Sequence, residues 1–245
     1  DLWQDCLSLL LMEPGDVGRM IEKNFGGVRI DGTNATIIGA GDGKFIADRN
    51  GIARGWMDHA LWPQMTTKLY IDQTGDVEIL NRQAPYFKDA QAVRGTQIDA
   101  EYQPEQGGWQ RTSQGEVYTG TILEHLLIEQ LAAFYEVGEH NICRLRGADW
   151  NDALDMAAER GESVAFTCAY AGNLRELAGM IRLLEKTTGS KTTQVLEELL
   201  VLCGDQTETF DDARAKQTIL TQYAARCAHQ ISGKRVEVCL SARSD

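Results

Sequence analysis

Apolar residues recur at helical spacing through the first third of the chain. The spacing predicts helices over residues 2–11, 17–24 and 56–73, and Pro63 falls in the first turns of the third. A longer helix is predicted over 163–186, where one stripe is apolar: Leu174, Leu177, Ile181 and Leu184.

Two sequence signals for helix starts stand in the second half. Thr121 to Glu124 has the form of a capping box, and the helix behind it should reach about Val137, before Gly138. Thr209 to Asp212 resembles a second capping box, with a helix to about Ile231. The pattern also predicts a helix over 192–202.

The intervening segments read as loops with short strands. Residues 27–45 and 88–115 are rich in glycine and polar side chains, and long ordered loops are often functional. Residues 234–240 alternate between polar and apolar, which is typical of a strand. The fold is therefore predicted to be mainly α, with helices in sequential pairs. No repeat of constant period is present, which disfavours a regular solenoid against a closed ring of helices.

Composition excludes several classes of protein. The chain has 245 residues, 43% of them hydrophobic, so it can bury a core without disulfides or metals. A formal charge of −12 argues against a nucleic-acid partner, because phosphate backbones are bound by basic faces. No apolar run approaches the roughly 20 residues of a membrane span. We therefore expect neither nucleic acid nor membrane as a partner.

The six cysteines include no CxxC pair and no zinc-finger spacing with histidine. They are predicted to be buried free thiols in a reducing compartment, so no metal site and a cytoplasmic location are expected. The chain lacks an initiator Met and opens directly into a helix. We therefore expect residues 1–245 to be part of one catalytic domain, excised from a longer multidomain chain.

The densest cluster of candidate chemistry lies between Arg144 and Asp155. Asp149 and Asp152 stand three residues apart beside Trp150, which puts both carboxylates near one face if the segment is helical. An apolar ring and a second carboxylate both raise the pKa of a carboxyl group, as a general acid requires. Arg144 and Arg146 would lower that pKa if they were close. On spacing alone, the same residues could instead cap a helix beside a packing tryptophan.

Two further segments combine acids with tryptophan, as sugar sites do. Asp1 to Asp5 holds two acids, an amide and an indole, although an exposed helix start explains it equally well. The segment Trp56 to Trp62 combines the same kinds of side chain around Asp58 and His59. A histidine on its own is more often structural than catalytic. Glu162 stands at a predicted helix start as a candidate ligand. His125, His140 and His229 have no partners at metal spacing and are interpreted as structural.

Three segments resemble glycoside hydrolase family 94, which includes cellobiose, cellodextrin and chitobiose phosphorylases and enzymes acting on β-1,2-glucans. They are Asp-Trp-Asn-Asp at 149–152, Gly-Glu-Ser-Val at 161–164, and the opening residues 1–5, which are similar to the end of an R-D-x-x-Q-D motif. The resemblance covers roughly residues 1–190. Its wording over 28–39 and 56–76 is closest to 1,2-β-oligoglucan phosphorylases.

The resemblance implies an (α/α)6 barrel, of which the predicted helices would form an incomplete piece with long loops and minor β-structure. It also implies an inverting phosphorolysis without a cofactor. Asp152 would protonate the glycosidic oxygen of a β-linked gluco-oligosaccharide, and inorganic phosphate, the co-substrate, would attack to give α-glucose 1-phosphate. Trp150, Asp5, Asp58, Asp149 and Glu162 would bind or support the sugar.

The resemblance also implies that some functional residues lie outside this sequence. The residues that bind phosphate are expected beyond residue 245, and a homodimer of the full-length protein is left open. Within the matching segments, His59 stands where many relatives carry aspartate, and Ala153-Leu154 replaces a pair that contains glycine. Both differences bear on the choice of substrate.

Two other classes of function remain open from the sequence. An inverting hydrolase on the same barrel would use a second carboxylate, Asp5 or Asp58, to activate water, and would need no phosphate. A glycan-binding domain without catalysis would bind oligosaccharide and turn nothing over. The acidic set around Asp152 argues against the second, because binding alone does not require a protonated acid.

Overall fold

The protein is described by a computed structural model over residues 2–39, 41, 43–46, 57–146, 157, 159–204 and 207–240. Within these ranges its α-helices are α1 (Leu2–Leu10), α2 (Pro14–Phe25), α3 (Leu61–Thr74), α4 (Ile122–Tyr135), α5 (Val164–Thr188), α6 (Leu200–Cys203) and α7 (Ala213–Arg226). The strands are β1 (Ile37–Ile38), β2 (Phe45–Ile46), β3 (Gln83–Pro85), β4 (Gln91–Ala92), β5 (Gln97–Ile98), β6 (Thr119–Thr121), β7 (Thr192–Leu196) and β8 (Arg235–Cys239).

The strands form four antiparallel pairs, β1–β2, β3–β6, β4–β5 and β7–β8. The fold is therefore mainly α with minor β-structure, as predicted. The loop at 27–45 carries the short pair β1–β2, and the polar loop at 88–115 carries β4–β5. Short 3-10 turns at Val77–Asn81, Pro104–Gln106, Glu197–Leu199 and Thr207–Thr209 complete the described elements.

The helices of the first third form close to where their patterns place them. α2 begins earlier than predicted, at Pro14, because proline is favoured in the first helical turn, where its missing N–H costs no hydrogen bond. α3 begins later, at Leu61, after a turn at residues 57–60. It ends at Gly75, whose φ of 75° suits glycine as a left-handed cap.

The cap of α4 is only half of the predicted box. Thr121 Oγ1 accepts from Glu124 N at 3.0 Å, as expected. Glu124 does not reach back to the cap but points inward, where it accepts hydrogen bonds from Tyr86 Oη at 2.7 Å and from Leu196 N at 2.7 Å. The carboxylate therefore ties α4 to β7 instead of closing its own helix. α5 begins as predicted, with Ser163 Oγ accepting from Phe166 N.

The helix predicted over 192–202 is wrong in its first half. Thr192–Leu196 is β7, and its β-branched residues pair in register with β8, from Thr192 opposite Cys239 to Leu196 opposite Arg235. Only Leu200–Cys203 is α-helical. Pairing with a strand about 40 residues away outweighed a local helical pattern.

The start of the last helix also differs from its prediction. Asp212, and not Thr209, caps α7, because its carboxylate accepts from Arg214 N and Ala215 N. α7 ends at Arg226, five residues before the predicted end at Ile231. β8 confirms the strand predicted over 234–240.

The buried core has three clusters that meet on α4. Ile122, Leu123 and Leu126 pack against the first cluster, formed with α1, α2, α3 and α5. Ile128, Ala132 and Tyr135 pack against the second, formed with β7, α6 and α7. Ala133 joins the third, with Met57 and Tyr170.

The cysteines differ from their prediction in burial. All six are free, but Cys168, Cys203 and Cys239 are exposed, whereas Cys6, Cys143 and Cys227 are buried. Within the described ranges, no helix has both the length and the apolar character that a membrane crossing needs.

Candidate functional site

A short antiparallel ladder brackets the segment that carries the predicted general acid. Leu145 N donates to Gly161 O at 2.8 Å, and Ser163 N donates to Cys143 O at 2.8 Å. Thr167 Oγ1, one turn into α5, accepts from Cys143 N at 3.0 Å. Residues 147–156 lie in sequence between the two sides of this ladder. Both flanks of the acid-bearing segment are thus fixed to the start of α5.

Glu162 lies in this ladder and holds the neighbouring turn. Its carboxylate accepts from His140 N at 2.9 Å and pairs with His140 Nδ1 at 2.6 Å. Burial raises the pKa of Glu162, but the hydrogen bonds from His140 and from the Ile142 backbone outweigh it and lower that pKa. Gly138 lies against this side chain, and a Cβ there would force Glu162 to shift. In the structure, Glu162 therefore binds the turn that contains His140. Its predicted role in binding sugar stays a prediction.

A buried ion network fixes the residue just before residues 147–156. Glu136, at the end of α4, pairs with Arg146 on one side and accepts from Arg94 Nε at 2.7 Å on the other. Burial raises the pKa of Glu136, but the two guanidinium charges outweigh it and lower the pKa. The negative charge of Glu136 therefore balances the positive charge of Arg146, which weakens the effect of that charge on residues 147–156.

Arg94 enters this network from a strained turn. Val93 and Arg94 join β4 to β5 with φ values of 51° and 54°, which a β-branched residue such as Val93 rarely adopts. Arg94 N donates to Asp31 Oδ2 at 2.7 Å, and its guanidinium donates to Asp31 O at 2.7 Å. The buried hydrogen bonds offset the strain and connect the 27–45 loop to the end of α4.

The segment with Asp58 is held by the same part of the molecule. Met57, Ala60 and Leu61 pack in one cluster with Cys143, at the ladder, and Tyr170 of α5. Tyr170 Oη also donates to Met57 O. The segment with Asp58 and the residues just before 147–156 therefore pack in the same cluster, around Tyr170 of α5, although they are far apart in sequence.

The predicted residues are placed differently by the structure. Asp58 Oδ2 accepts from Trp62 Nε1 at 3.4 Å, inside the region just described. Asp5 lies exposed on α1, on the opposite side of that helix from the buried Trp3. Asp149, Trp150 and Asp152 lie outside the described residues, as does Trp56 of the predicted helix start.

An open cavity of about 50 Å³ lies between α1, the end of α2, the loop at 34–37 and the start of α3. Its aromatic walls are Trp3, Phe45 and Trp62, and polar groups come from Asn24, Asn34, Thr36 and His59. Gly27 also lines the cavity, and a Cβ there would stand 2.8 Å from the Phe45 ring. This volume is well below the roughly 300–1,000 Å³ of typical small-molecule sites.

One wall of the cavity is backed by a buried acid. Asn34 Nδ2 donates to Glu129 Oε1 at 2.7 Å, and Glu129 lies on α4 with no exposed surface. Burial raises the pKa of Glu129 well above its usual value, while the Asn34 hydrogen bond and the Arg94 charge oppose this. Glu129 Oε2 is buried without a hydrogen-bond partner. The Glu129 carboxyl group thus holds the Asn34 amide in place.

Sequence reasoning did not identify Asn34, Arg94, Glu129 or Glu136. The arginine lies in a polar loop and the two acids lie on a helix whose apolar stripe was assigned to the core. Their pairing joins residues 42 to 95 positions apart, so no local spacing could reveal it. The sequence held one weak signal of a buried role for Glu129, because this acid lies in a helix that is otherwise mainly apolar.

Comparison with known proteins relates part of the chain to one family. Residues 96–201 match the Glycosyl hydrolase 94 superfamily, catalytic domain. A solabiose phosphorylase of Paenibacillus borealis is 26% identical over 151 residues, which cover 58% of this chain and 15% of that protein. Both matches support glycosyl hydrolase family 94. The chain thus spans only a small part of the length of this relative.

The family-94 match bears on the predicted site in a specific way. Its range includes the ladder, residues 149–152 and Glu162, whereas Asp5 and Asp58 lie before it. The catalytic domain of family 94 is a helical (α/α)6 barrel, and the described helices are part of such a barrel. The more specific resemblance to 1,2-β-oligoglucan phosphorylases stays a prediction.

Proposed function

We propose that this chain carries the general acid and part of the sugar site of an inverting sugar phosphorylase. The observation that supports it is the ladder of 143–145 with 161–163, which holds an acid-bearing segment inside the range matched by the family-94 catalytic domain. A pair of acids beside a tryptophan, fixed at both flanks, is what a positioned proton donor requires.

In the proposed reaction, Asp152 donates its proton to the glycosidic oxygen of a β-linked gluco-oligosaccharide as the bond to the anomeric carbon breaks. An oxygen of inorganic phosphate forms the new bond from the opposite face, which gives α-glucose 1-phosphate and a shortened sugar. Phosphate is already a nucleophile, so no second carboxylate is needed to activate water. Asp152 recovers its proton from solvent.

The remaining predicted residues take supporting roles in this proposal. Trp150 packs on the reacting sugar, Asp5 and Asp58 accept from its hydroxyls, and Asp149 supports the acid. Glu162 acts through its grip on the His140 turn, next to the ladder. The preferred linkage is proposed to be β-1,2, on the resemblance of 28–39 and 56–76 alone.

The test uses the full-length protein with β-1,2-, β-1,3- and β-1,4-linked glucobioses, with and without inorganic phosphate. Phosphorus NMR should show α-glucose 1-phosphate only when phosphate and the correct sugar are both present. Free glucose formed equally without phosphate would instead identify a hydrolase. Binding of sugar without any turnover would leave a glycan-binding domain.

The role of Asp152 is tested by Asp152→Asn. Loss of the proton donor should lower kcat by about 10²–10⁴-fold, the usual contribution of general acid catalysis, with little change in sugar affinity. Asp155→Asn, which neutralises a neighbouring acid, is the matched control and should lower kcat much less. Near-normal turnover by Asp152→Asn would exclude it as the acid.

A further inference from the structure

The turn that carries Asp58 is held through its own main chain. Three carbonyl groups, on both sides of Asp58, accept hydrogen bonds from side chains of α4 and α5: Met57 O from Tyr170 Oη, Ala60 O from Gln130 Nε2 at 2.6 Å, and Leu61 O from Asn173 Nδ2 at 3.2 Å. We call the three donors, Gln130, Tyr170 and Asn173, the carbonyl clamp. Because the clamp binds main-chain groups, it fixes the path of the backbone before and after Asp58.

The members of the carbonyl clamp are also connected to each other. Asn173 Nδ2 donates to Gln130 Oε1 at 3.2 Å, which joins α5 to α4. Gln130 has no exposed surface, Tyr170 is 3% exposed and Asn173 is 7% exposed. A hydrogen bond lost here therefore cannot be replaced by one to bulk water, so the position of the turn depends on these side chains.

The start of α3 does not fix this turn by itself. Among the described residues no side chain caps α3, and its N-cap residue is Ala60, which has no polar side-chain atom. Leu61 N donates to Asp58 O at 3.0 Å, which is the tighter spacing of a 3-10 turn. The carbonyl of Met57 is then left to accept from Tyr170.

Two of the clamp hydrogen bonds exceed what the main chain needs. In a helix that begins at Leu61, the carbonyl groups of Ala60 and Leu61 already accept from N–H groups one turn further along. The bonds from Gln130 and Asn173 are therefore additional, and each requires burial of an amide group that an apolar side chain would avoid. Such an arrangement fixes geometry more than it adds stability.

We propose that Gln130, Tyr170 and Asn173 are positioning residues of the sugar site. They hold the main chain on both sides of Asp58, so that its carboxylate meets a hydroxyl group of the sugar. The inference rests on the proposed function, which assigns that contact to Asp58. The clamp acts through Asp58 and not through contacts of its own with the sugar.

The sharpest variant is Tyr170→Phe, which removes one hydroxyl group and keeps the ring. In the full-length protein it should raise the KM for the cleaved β-linked glucobiose by about ten-fold, within the range that a hydrogen bond to a charged group contributes. The KM for phosphate should not change. Gln130→Met, which removes an amide from a side chain of similar length, should act in the same direction.

The matched control is Tyr135→Phe. Tyr135 is also buried, and its Oη donates to a main-chain carbonyl, Leu202 O at 3.2 Å, in the second core cluster. Both variants lose one buried hydrogen bond and should lower the melting temperature by similar amounts. Only Tyr170→Phe should raise the KM for sugar, whereas a purely structural role would leave it unchanged in both.

A double-mutant cycle tests whether the clamp acts through Asp58. Asp58→Asn should itself raise the KM for sugar, and Tyr170→Phe should add little to that increase once the carboxylate is gone. Effects that multiply independently would show that Tyr170 acts elsewhere and would overturn the inference. An unchanged KM in Asp58→Asn would overturn it as well.

The same variants distinguish this inference from the proposed function. Phosphorolysis with the same KM for sugar in Tyr170→Phe, Tyr135→Phe and wild type would reject the clamp and leave the phosphorylase intact. If wild type releases no sugar phosphate, the phosphorylase is rejected, and calorimetric titration with the glucobioses decides about the clamp. Sugar binding weakened by Tyr170→Phe and not by Tyr135→Phe would then retain it, whereas equal binding, or none in wild type, would reject it.

Discussion

Three glutamates on one helix show how strongly a residue's neighbours decide its state. Glu124, Glu129 and Glu136 are all buried on α4 or at its end, yet each meets different partners. Glu124 accepts from tyrosine hydroxyls, Glu129 accepts from one amide, and Glu136 lies between two arginines. The pKa is lowered only for Glu136, because opposite charge outweighs burial there and not at the other two.

Gly120 is the residue that makes room for Glu124. A Cβ at this position would overlap Glu124 Oε1 and lie 2.8 Å from Tyr86 Oη. We expect Gly120→Ala to lower the free energy of unfolding by about 1–3 kcal/mol, as overpacking does. Urea denaturation measures the change.

The control for Gly120 is Gly172→Ala. Gly172 lies exposed in α5, and a Cβ there would meet nothing within 4 Å. Alanine should stabilise that helix by up to about 1 kcal/mol through its higher propensity. Equal effects at the two positions would show that the packing around Glu124 does not constrain Gly120.

At the scale of elements, the end of α4 depends on its ion network. We expect Glu136→Ala to lower the free energy of unfolding by about 3–5 kcal/mol, because it leaves the buried Arg94 and the partly buried Arg146 without their shared partner. The readout is the midpoint of urea unfolding by circular dichroism. The matched pair is Glu139–Arg160, which is exposed. Glu139→Ala should therefore leave the midpoint almost unchanged, and a similar loss at both sites would contradict this account.

Elements were predictable from sequence where local signals and packing agree. α1 and α5 follow their apolar stripes, and Ser163 and Gly189 mark the ends of α5 with a side-chain cap and a left-handed glycine. The prediction was wrong at β7 because its partner strand, β8, is distant in sequence. Within 192–202 itself, only the helical pattern could be recognised. The pairing of 143–145 could not be predicted either, because nothing in that sequence identifies 161–163 as its partner.

The candidate site shows the same division. Asp58 and Glu162 were chosen from residue type and neighbours, and the structure brings their segments onto the support formed by Tyr170 and the ladder. Asn34 and Glu129 were missed, because their roles arise from a contact across 95 residues. Candidate residues could be named where their pattern is local in sequence, and their roles stay predictions, whereas the contact between Asn34 and Glu129 is assembled by the fold and could not be named.

At the scale of the whole molecule, α4 connects all three core clusters. Six of its apolar side chains divide between the first two clusters, and Ala133 packs in the third. Opening α4 therefore requires disrupting every cluster, whereas α1 contributes to the first alone. Stability is not uniform in such a molecule, and the shared element should open last.

Hydrogen exchange tests this expectation. Peptides from α4 should exchange most slowly among the described helices, close to the rate of global unfolding, and peptides from α1 should exchange much faster. Mass spectrometry of the full-length protein in deuterated buffer resolves the two. Comparable rates for α1 and α4 would show that the clusters do not share their stability through α4.

The ladder that brackets residues 147–156 also has an evolutionary consequence. The chain leaves and re-enters the helical framework at adjacent points, so the intervening segment is an insert closed on itself at its base. Lengthening such an insert costs little closure entropy, because that cost grows only with the logarithm of length. Related sequences can therefore differ in length near the base of the segment while α4 and α5 stay unchanged, but the proposed role of Asp152 restricts such changes to positions away from residues 149–152.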